Sequence, residues 1–335
     1  MMDQQPLIAV LGAGSWGTAL SILLARHQNR VRMWGNLPEA VRKLNEEREN
    51  REFLPGVAFP DALSVTNDLA GAIEGADEVL VVVPSHAFAS VMEQLRDINP
   101  KLASLSWATK GLEPGSRKLL HQVAADYFPG ADIGLISGPT FAMEVARGLP
   151  TAITVASSNR GHAERLAEYL KGETFRAYTS PDIVGVQVGG AAKNVMAIAA
   201  GIADGLGFGA NARAALITRG LAEITRLGLE LGGQHDTFMG LAGLGDLVLT
   251  CTDDQSRNRR MGLALARGLS IDQAKAEIGQ EVEGVAAARD FYLKSGELGV
   301  EMPITEQVYR ILYKSLEPKT AVHALLSRQQ KAELD

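Results

Sequence analysis

The sequence predicts an α/β N-terminal domain built on a mainly parallel sheet, followed by an all-α C-terminal domain. Three observations lead there. Short apolar runs alternate with longer segments of helical periodicity through the first half. A glycine-rich turn joins the first such run to the first helix. After about Thr179-Ser180-Pro181 strand signals nearly vanish and helical periodicity takes over.

The elements follow in order. Residues 7–11 are a compact apolar run, and 14–27 read as a helix with Ala19, Leu20, Leu23 and Leu24 on one face. A second short strand is expected over 31–34. Residues 78–83 (EVLVVV) are the clearest buried strand, stopped by Pro84, with a helix over 87–98 behind it. Further strands are expected over 102–108, 133–136 and 152–156. Such alternation implies parallel strands joined by right-handed helical crossovers, with helices on both faces. Helices are then expected over 185–203, 213–231, 255–267, 271–278, 285–295 and 303–312. The boundary falls near residue 188, giving a dinucleotide-binding domain over 1–188 and a helical substrate-binding domain over 189–335.

Composition bounds the function. The chain has 335 residues, 46% of them hydrophobic and 21% charged, so it can bury a large core in more than one domain. A net charge of -6 argues against a general nucleic-acid binder, which needs clustered cations. The single cysteine, Cys251, allows no internal disulfide, no zinc-type Cys/His spacing is present, and no metal site is expected. That usage fits a reducing cytoplasm. The first six residues, with Asp3 among them, show no leader pattern. No transmembrane segment is expected, because apolar stretches such as 194–203 are bracketed by charges, here Lys193 and Asp204.

The glycine turn carries the first chemistry. Gly12-Ala-Gly14-Ser-Trp-Gly17 is a G-x-G-x-x-G that follows a strand and opens a helix, which makes the first domain Rossmann-like. Gly12 permits the tight turn, Gly14 leaves room for a pyrophosphate, and Gly17 lets helix and strand pack closely. Ser15 and Trp16 would meet the phosphates by their backbone at the helix N-terminus. A glycine-rich turn without a ligand is the plainer alternative. An NAD-selective fold usually carries an acid at the end of the second strand, where this chain has Trp34-Gly35-Asn36. Asn36 offers no carboxylate to repel a 2′-phosphate, and neither Arg32 nor Arg42 is clearly placed to grip one. The cofactor expected is therefore NAD or NADP, with NADPH use favoured.

Further blocks recur in order: Val81-Val-Val-Pro-Ser-His86, Trp107-Ala-Thr-Lys-Gly111, Ser137-Gly-Pro-Thr-Phe-Ala142, Gly189-Gly-Ala-Ala-Lys-Asn194, Gly243-Leu-Gly-Asp-Leu247 with Thr250-Cys251, and Ser256-Arg-Asn-Arg259. With the glycine turn, this set resembles the soluble NAD(P)-dependent glycerol-3-phosphate dehydrogenase family in its bacterial form. The resemblance runs from residue 8 to about 305.

The resemblance implies interconversion of dihydroxyacetone phosphate and sn-glycerol 3-phosphate, supplying glycerol 3-phosphate for glycerophospholipid synthesis. It implies that Lys193 is catalytic and meets the developing charge on the carbonyl oxygen. From position alone, Lys193 also reads as a surface lysine on an amphipathic helix. The resemblance places Lys110 at both cofactor and substrate, Gly138 and Thr140 at the substrate, and Ala142 at the cofactor. Without it, Ser137-Gly-Pro-Thr140 is a turn before a helix. Asp246 is the implied partner of Lys193, or a helix N-cap, or both. Ser256, Arg257 and Asn258 are the implied phosphate clamp, since arginine forms forked bonds to phosphate and the neutral side chains add donors. Read alone, the cluster is either a phosphate site or, more often for such a run, a solvated basic face.

Arg257 is also implied to reach the cofactor, with Arg259 and Arg260 more peripheral. Val282 and Glu283 match a cofactor-contacting block, or simply start a helix. His86 reads as packing or cofactor contact, Thr250 as a weaker substrate contact, and Cys251 as a buried small residue. A small-molecule phosphate substrate, no nucleic acid and a homodimer complete the expectation. Two other readings compete: a related 3-hydroxyacid or 6-phosphogluconate dehydrogenase, and a non-catalytic NAD(P)-binding sensor.

Overall fold

The computed structural model describes residues 5–328. The expected absence of a leader over the first residues, and the outer ends of both expected domains, lie outside the described residues. The chain divides into two compact units, Met1–Gln187 and Val188–Asp335.

The first unit runs β1 (Leu7–Leu11), α1 (Ser15–Arg26), β2 (Arg30–Trp34), α2 (Pro38–Glu47), β3 (Glu49–Asn50), β4 (Leu54–Ala58), β5 (Leu63–Thr66), α3 (Leu69–Ile73), β6 (Glu78–Val81) and α4 (Ser85–Ile98). It continues with β7 (Ser104–Trp107), α5 (Leu120–Tyr127), β8 (Asp132–Ser137), α6 (Ala142–Arg147), β9 (Thr151–Ser157), α7 (Arg160–Leu170) and β10 (Phe175–Ser180). Among the described residues eight strands form one sheet in the order β10-β9-β8-β7-β6-β1-β2-β5, and β3 pairs with β4 in a separate antiparallel ribbon. β1 lies between β2 and β6, with Val10 in register with both Met33 and Leu80. Strands flank it on both sides, so all five of its residues are buried, and this is why the sequence shows an unbroken apolar run there.

The mainly parallel sheet expected from the sequence is present, with one exception. β9 runs antiparallel to β8, and β10 then lies parallel to β9. The EVLVVV strand is shorter than expected. Its ladder ends at Val81, because Pro84 already leads into α4 and the Val82 carbonyl packs against the glycine turn. β10 shows no apolar run in the sequence, since it is an edge strand with Arg176, Tyr178 and Thr179 exposed.

The second unit is helical throughout its described residues. α8 (Ile183–Gly205) enters it from the first unit. Then come α9 (Gly209–Glu230), α10 (His235–Phe238), a wide turn at Leu241–Gly245, α11 (Asp246–Thr252), α12 (Arg257–Ala266), α13 (Ile271–Ile278), α14 (Glu283–Leu298), α15 (Pro303–Lys314) and α16 (Pro318–Leu326). α10, α11 and α16 were not expected; each is short and lacks a full apolar period. α8 is long and apolar enough by composition to cross a membrane, but it is almost wholly buried within the protein, which marks a core helix. It packs backbone to backbone against α12. A Cβ on Gly201 would lie 2.1 Å from the Arg259 carbonyl oxygen, and one on Gly262 would lie 2.1 Å from that of Ile198. That approach brings the N-terminal turn of α12 close to the middle of α8.

Candidate cofactor and substrate sites

In the first unit the glycine turn sorts its glycines by physical reason. Gly12 sits at φ +131°, and a Cβ there would lie 2.3 Å from the Val82 carbonyl oxygen. A Cβ on Gly17 would lie 1.9 Å from the Gly12 carbonyl oxygen. Both are therefore required by the fold itself. Gly14 is different: its φ is −76° and no atom lies within 4 Å of where its Cβ would be. Among the described residues nothing needs a glycine there, and the open space beside the α1 N-terminus would admit a pyrophosphate. The first turn of α1 holds no acid and no side chain caps it, so its N–H groups suit an anion.

The residues around this cradle are braced. The Ser15 hydroxyl donates to the Phe53 carbonyl at 2.8 Å, and Trp16 packs against the core of this unit. Asn36 is exposed just past the end of β2. Arg32 donates to the carbonyls of Gly71 (2.9 Å) and Glu74 (2.7 Å). Arg42 bonds Glu39 and Glu46, which hold its pKa above the usual guanidinium value. The guanidiniums of Arg32 and Arg42 are thus engaged elsewhere.

The C-terminal ends of the neighbouring parallel strands β1, β6, β7 and β8 bring the other motifs to the same sheet edge. Lys110 is half-buried in the loop after β7, next to Thr109, whose hydroxyl donates to the Val83 carbonyl at 2.7 Å. Gly138 follows β8 at φ +154° with its α-carbon against Ile153. Thr140 donates to the Gly138 carbonyl at 3.2 Å, and Ala142 opens α6. His86, in the first turn of α4, is exposed.

In the second unit Lys193 lies on α8 at 6% exposure, far from a surface lysine. Its ammonium pairs with the carboxylate of Asp246 and donates to the Thr250 hydroxyl at 2.8 Å. The Thr250 hydroxyl in turn donates to the Asp246 carbonyl at 2.6 Å. The two readings of Asp246 separate here: it opens α11, but the helix start has no side-chain cap, and the carboxylate turns to Lys193. A wide turn, closed by the Gly245 N–H donating to the Gly240 carbonyl at 3.1 Å, delivers it. Cys251 is buried beside this pair, and burial pushes its thiol up to about 12, so it stays protonated and takes no part in proton exchange.

The Ser256–Arg260 cluster resolves into separate roles. Ser256 caps α12, accepting from the Arg259 N–H at 3.2 Å. Arg257 is half-buried in the first turn of α12. Asn258 is buried; its Nδ2 donates to Asn194 Oδ1 at 2.8 Å, and its Oδ1 accepts from the Gly284 N–H at 2.9 Å. Asn194 donates onward to Glu283 Oε2 at 3.3 Å. Val282 is the buried residue before α14, and Glu283 opens that helix. Arg259 is no solvated cation: it is buried and pairs with Asp204 (2.9 Å) and Asp254 (3.1 Å), while Asp204 also holds Arg213 at 2.8 Å. Sequence reasoning missed that burial, and it missed Thr109 and Asn50, which brace the motif loops. Their hydrogen bonds reach partners distant in the chain, so no local pattern marks them.

Among the described residues no group of His, Cys, Asp and Glu could hold a metal ion. A mainly parallel sheet carrying a glycine-turn cradle, and a helical unit holding a buried lysine–aspartate pair, define a dinucleotide-dependent dehydrogenase. The comparisons with known proteins identify which. Residues 7–163 match the N-terminal model of the NAD-dependent glycerol-3-phosphate dehydrogenases and residues 182–323 the C-terminal model, so the chain belongs to this family. It is similar to a glycerol-3-phosphate dehydrogenase [NAD(P)+] of Thioalkalivibrio sulfidiphilus, 58% identical over 98% of this chain and 99% of that one. One of the same description from Pseudoalteromonas translucida is 53% identical over 97% and 98%. The crystal structure of a glycerol-3-phosphate dehydrogenase from Coxiella burnetii superposes with a TM-score of 0.94 at 47% identity, covering 97% of this chain and 99% of that one. The chain is thus an NAD(P)-dependent oxidoreductase, and the sensor and hydroxyacid-dehydrogenase readings fall away.

Proposed function

We propose that this chain interconverts dihydroxyacetone phosphate and sn-glycerol 3-phosphate with Lys193 as the proton donor to the carbonyl oxygen. The observation that carries the reading is the buried ammonium of Lys193, held by Asp246 and Thr250. Reduction of a ketone leaves negative charge on oxygen, and a preoriented cationic donor stabilises it. Asp246 and Thr250 fix the rotamer of Lys193. Arg257 and the remaining amide hydrogen of Asn258 hold the substrate phosphate, near the dipole of α12. Ser256 supports them as the helix cap, and Lys110, Gly138 and Thr140 complete the substrate contacts.

The dinucleotide belongs at Gly12–Gly17, with Ser15 and Trp16 meeting it by backbone and Asn36, Lys110, Ala142, Arg257, Val282 and Glu283 as further contacts. When bound, its nicotinamide supplies or accepts the hydride. Residues 1–188 serve as the dinucleotide domain and 189–335 as the substrate domain. NADPH is accepted because Asn36 presents no carboxylate to a 2′-phosphate. The protein works as a homodimer in the cytoplasm and supplies glycerol 3-phosphate for glycerophospholipid synthesis.

The test is loss of reduced-nicotinamide absorbance with dihydroxyacetone phosphate, run in parallel with NADH and NADPH. Rapid oxidation supports the reading, and the rate ratio reports cofactor preference. No oxidation by protein that binds the cofactor would sink it.

A further inference from the structure

The glycine turn is held by more than its own strand and helix. Asn50 ends β3 at 2% exposure, and no motif or charge draws attention to it. Its Nδ2 donates both to the Ala13 carbonyl (2.9 Å) and to the Thr18 hydroxyl oxygen (2.8 Å), while its Oδ1 accepts from the Phe53 N–H (3.2 Å). A carbonyl at one end and an N–H at the other leave the amide a single orientation. The same ribbon turn is tied to α1 a second time, through the Ser15 hydroxyl on the Phe53 carbonyl.

Ala13 lies between Gly12 and Gly14. The Ala13–Gly14 peptide is trans and planar, so its C=O and N–H point to opposite sides. Holding the Ala13 oxygen toward Asn50 turns the Gly14 N–H away from the ribbon, at the residue whose α-carbon faces open space. We propose that Asn50 is a positioning residue of the cofactor site, orienting the Ala13–Gly14 peptide for the pyrophosphate of NAD(P). This rests on the dinucleotide reading of the glycine turn. The competing account makes Asn50 a buried brace that matters for stability alone, and the two accounts differ in whether cofactor affinity falls when the Ala13 carbonyl is released. Thr18 takes the second Asn50 hydrogen, and its hydroxyl donates to the same Ala13 carbonyl at 3.5 Å, a longer and weaker hold on that peptide than the 2.9 Å bond from Asn50.

The experiment titrates NADH and NADPH by fluorescence against the parent, Asn50→Ala, Asn50→Asp and Thr18→Val proteins, with melting temperatures taken without cofactor. Asn50→Ala should raise the Kd of both cofactors about tenfold, the size expected for one well-made hydrogen bond. Turnover at saturating cofactor and the KM for dihydroxyacetone phosphate should stay within about twofold. Asn50→Asp keeps the size but sets an acceptor against the Ala13 oxygen, so its Kd should rise at least as far. Thr18→Val loses only the longer bond to the Ala13 carbonyl, so it should lower the melting temperature and raise Kd less than Asn50→Ala does. A Kd for Asn50→Ala within about twofold of the parent overturns the proposal. So does a Thr18→Val protein whose Kd rises as far as that of Asn50→Ala. If Asn50→Ala fails to fold, Asn50→Asp decides by the same criterion. A parent that binds neither dinucleotide overturns the cofactor reading itself, and Asn50 with it.

Discussion

Replacing Lys193 by Met separates its two roles. Met keeps the length and apolar stem but removes the charge, leaving the Asp246 carboxylate at 0% exposure without its counter-ion. Breaking one side of a buried ion pair costs about 3–5 kcal/mol. For a unit of this size that is a fall of roughly 6–20 °C in melting temperature. Turnover should fall about 10²–10⁴-fold if Lys193 is the proton donor. The double variant Lys193→Met/Asp246→Asn removes both charges and keeps both shapes. It should regain most of the stability, since a buried pair replaced as a whole is close to neutral, yet it should stay inactive. Melting curves and nicotinamide-absorbance turnover for the parent, both single variants and the double variant complete the cycle. A double variant with near-parental turnover would remove Lys193 from the chemistry. A Lys193→Met protein as stable as the parent would refute the energetic account of the pair.

The other predictions concern the turn, the phosphate and a buried carboxylate. Gly14→Ala should fold with a parental melting temperature, because its φ is ordinary and nothing lies near the added methyl, but should lose dinucleotide affinity; Gly12→Ala should lose stability instead. Titration and melting of the two variants check this, and equal cofactor affinity in Gly14→Ala counts against the pyrophosphate reading. Arg257→Ala should chiefly raise the KM for dihydroxyacetone phosphate in steady-state kinetics; a loss confined to cofactor affinity would contradict the phosphate assignment. Glu223, buried on α9, accepts from the N–H groups of Ile304 (2.7 Å) and Thr305 (3.2 Å), and burial pushes it up to about 7 against those bonds. The folded protein therefore holds a proton that the unfolded chain releases above its ordinary carboxylate pKa. Stability from this group is fully present below about pH 4.5 and is lost as pH rises toward 7, by about 3 kcal/mol. Glu223→Gln cannot titrate and should flatten denaturant midpoints across that window; an unchanged slope would exclude Glu223 as the cause.

What the sequence determined by itself is what local order encodes. The strand, glycine turn and helix at 7–27 are contiguous, and the buried β1 and β6 need only an unbroken apolar run. The family blocks also pointed to Lys193, Asp246 and Arg257, but through resemblance rather than through any local rule. Only the tertiary structure decided what those residues touch. It paired Lys193 with a carboxylate 53 residues away, buried Arg259 among aspartates while its neighbour Arg257 stayed half-buried, and set β9 against the direction of β8. It also carried Asn50 across 37 residues to the Ala13 carbonyl. The physical reason is common to all of these. Periodicity and turn propensity act between neighbours in the chain, whereas hydrogen bonds and ion pairs depend on which surfaces packing brings within about 3 Å, and packing is settled only when the whole core closes.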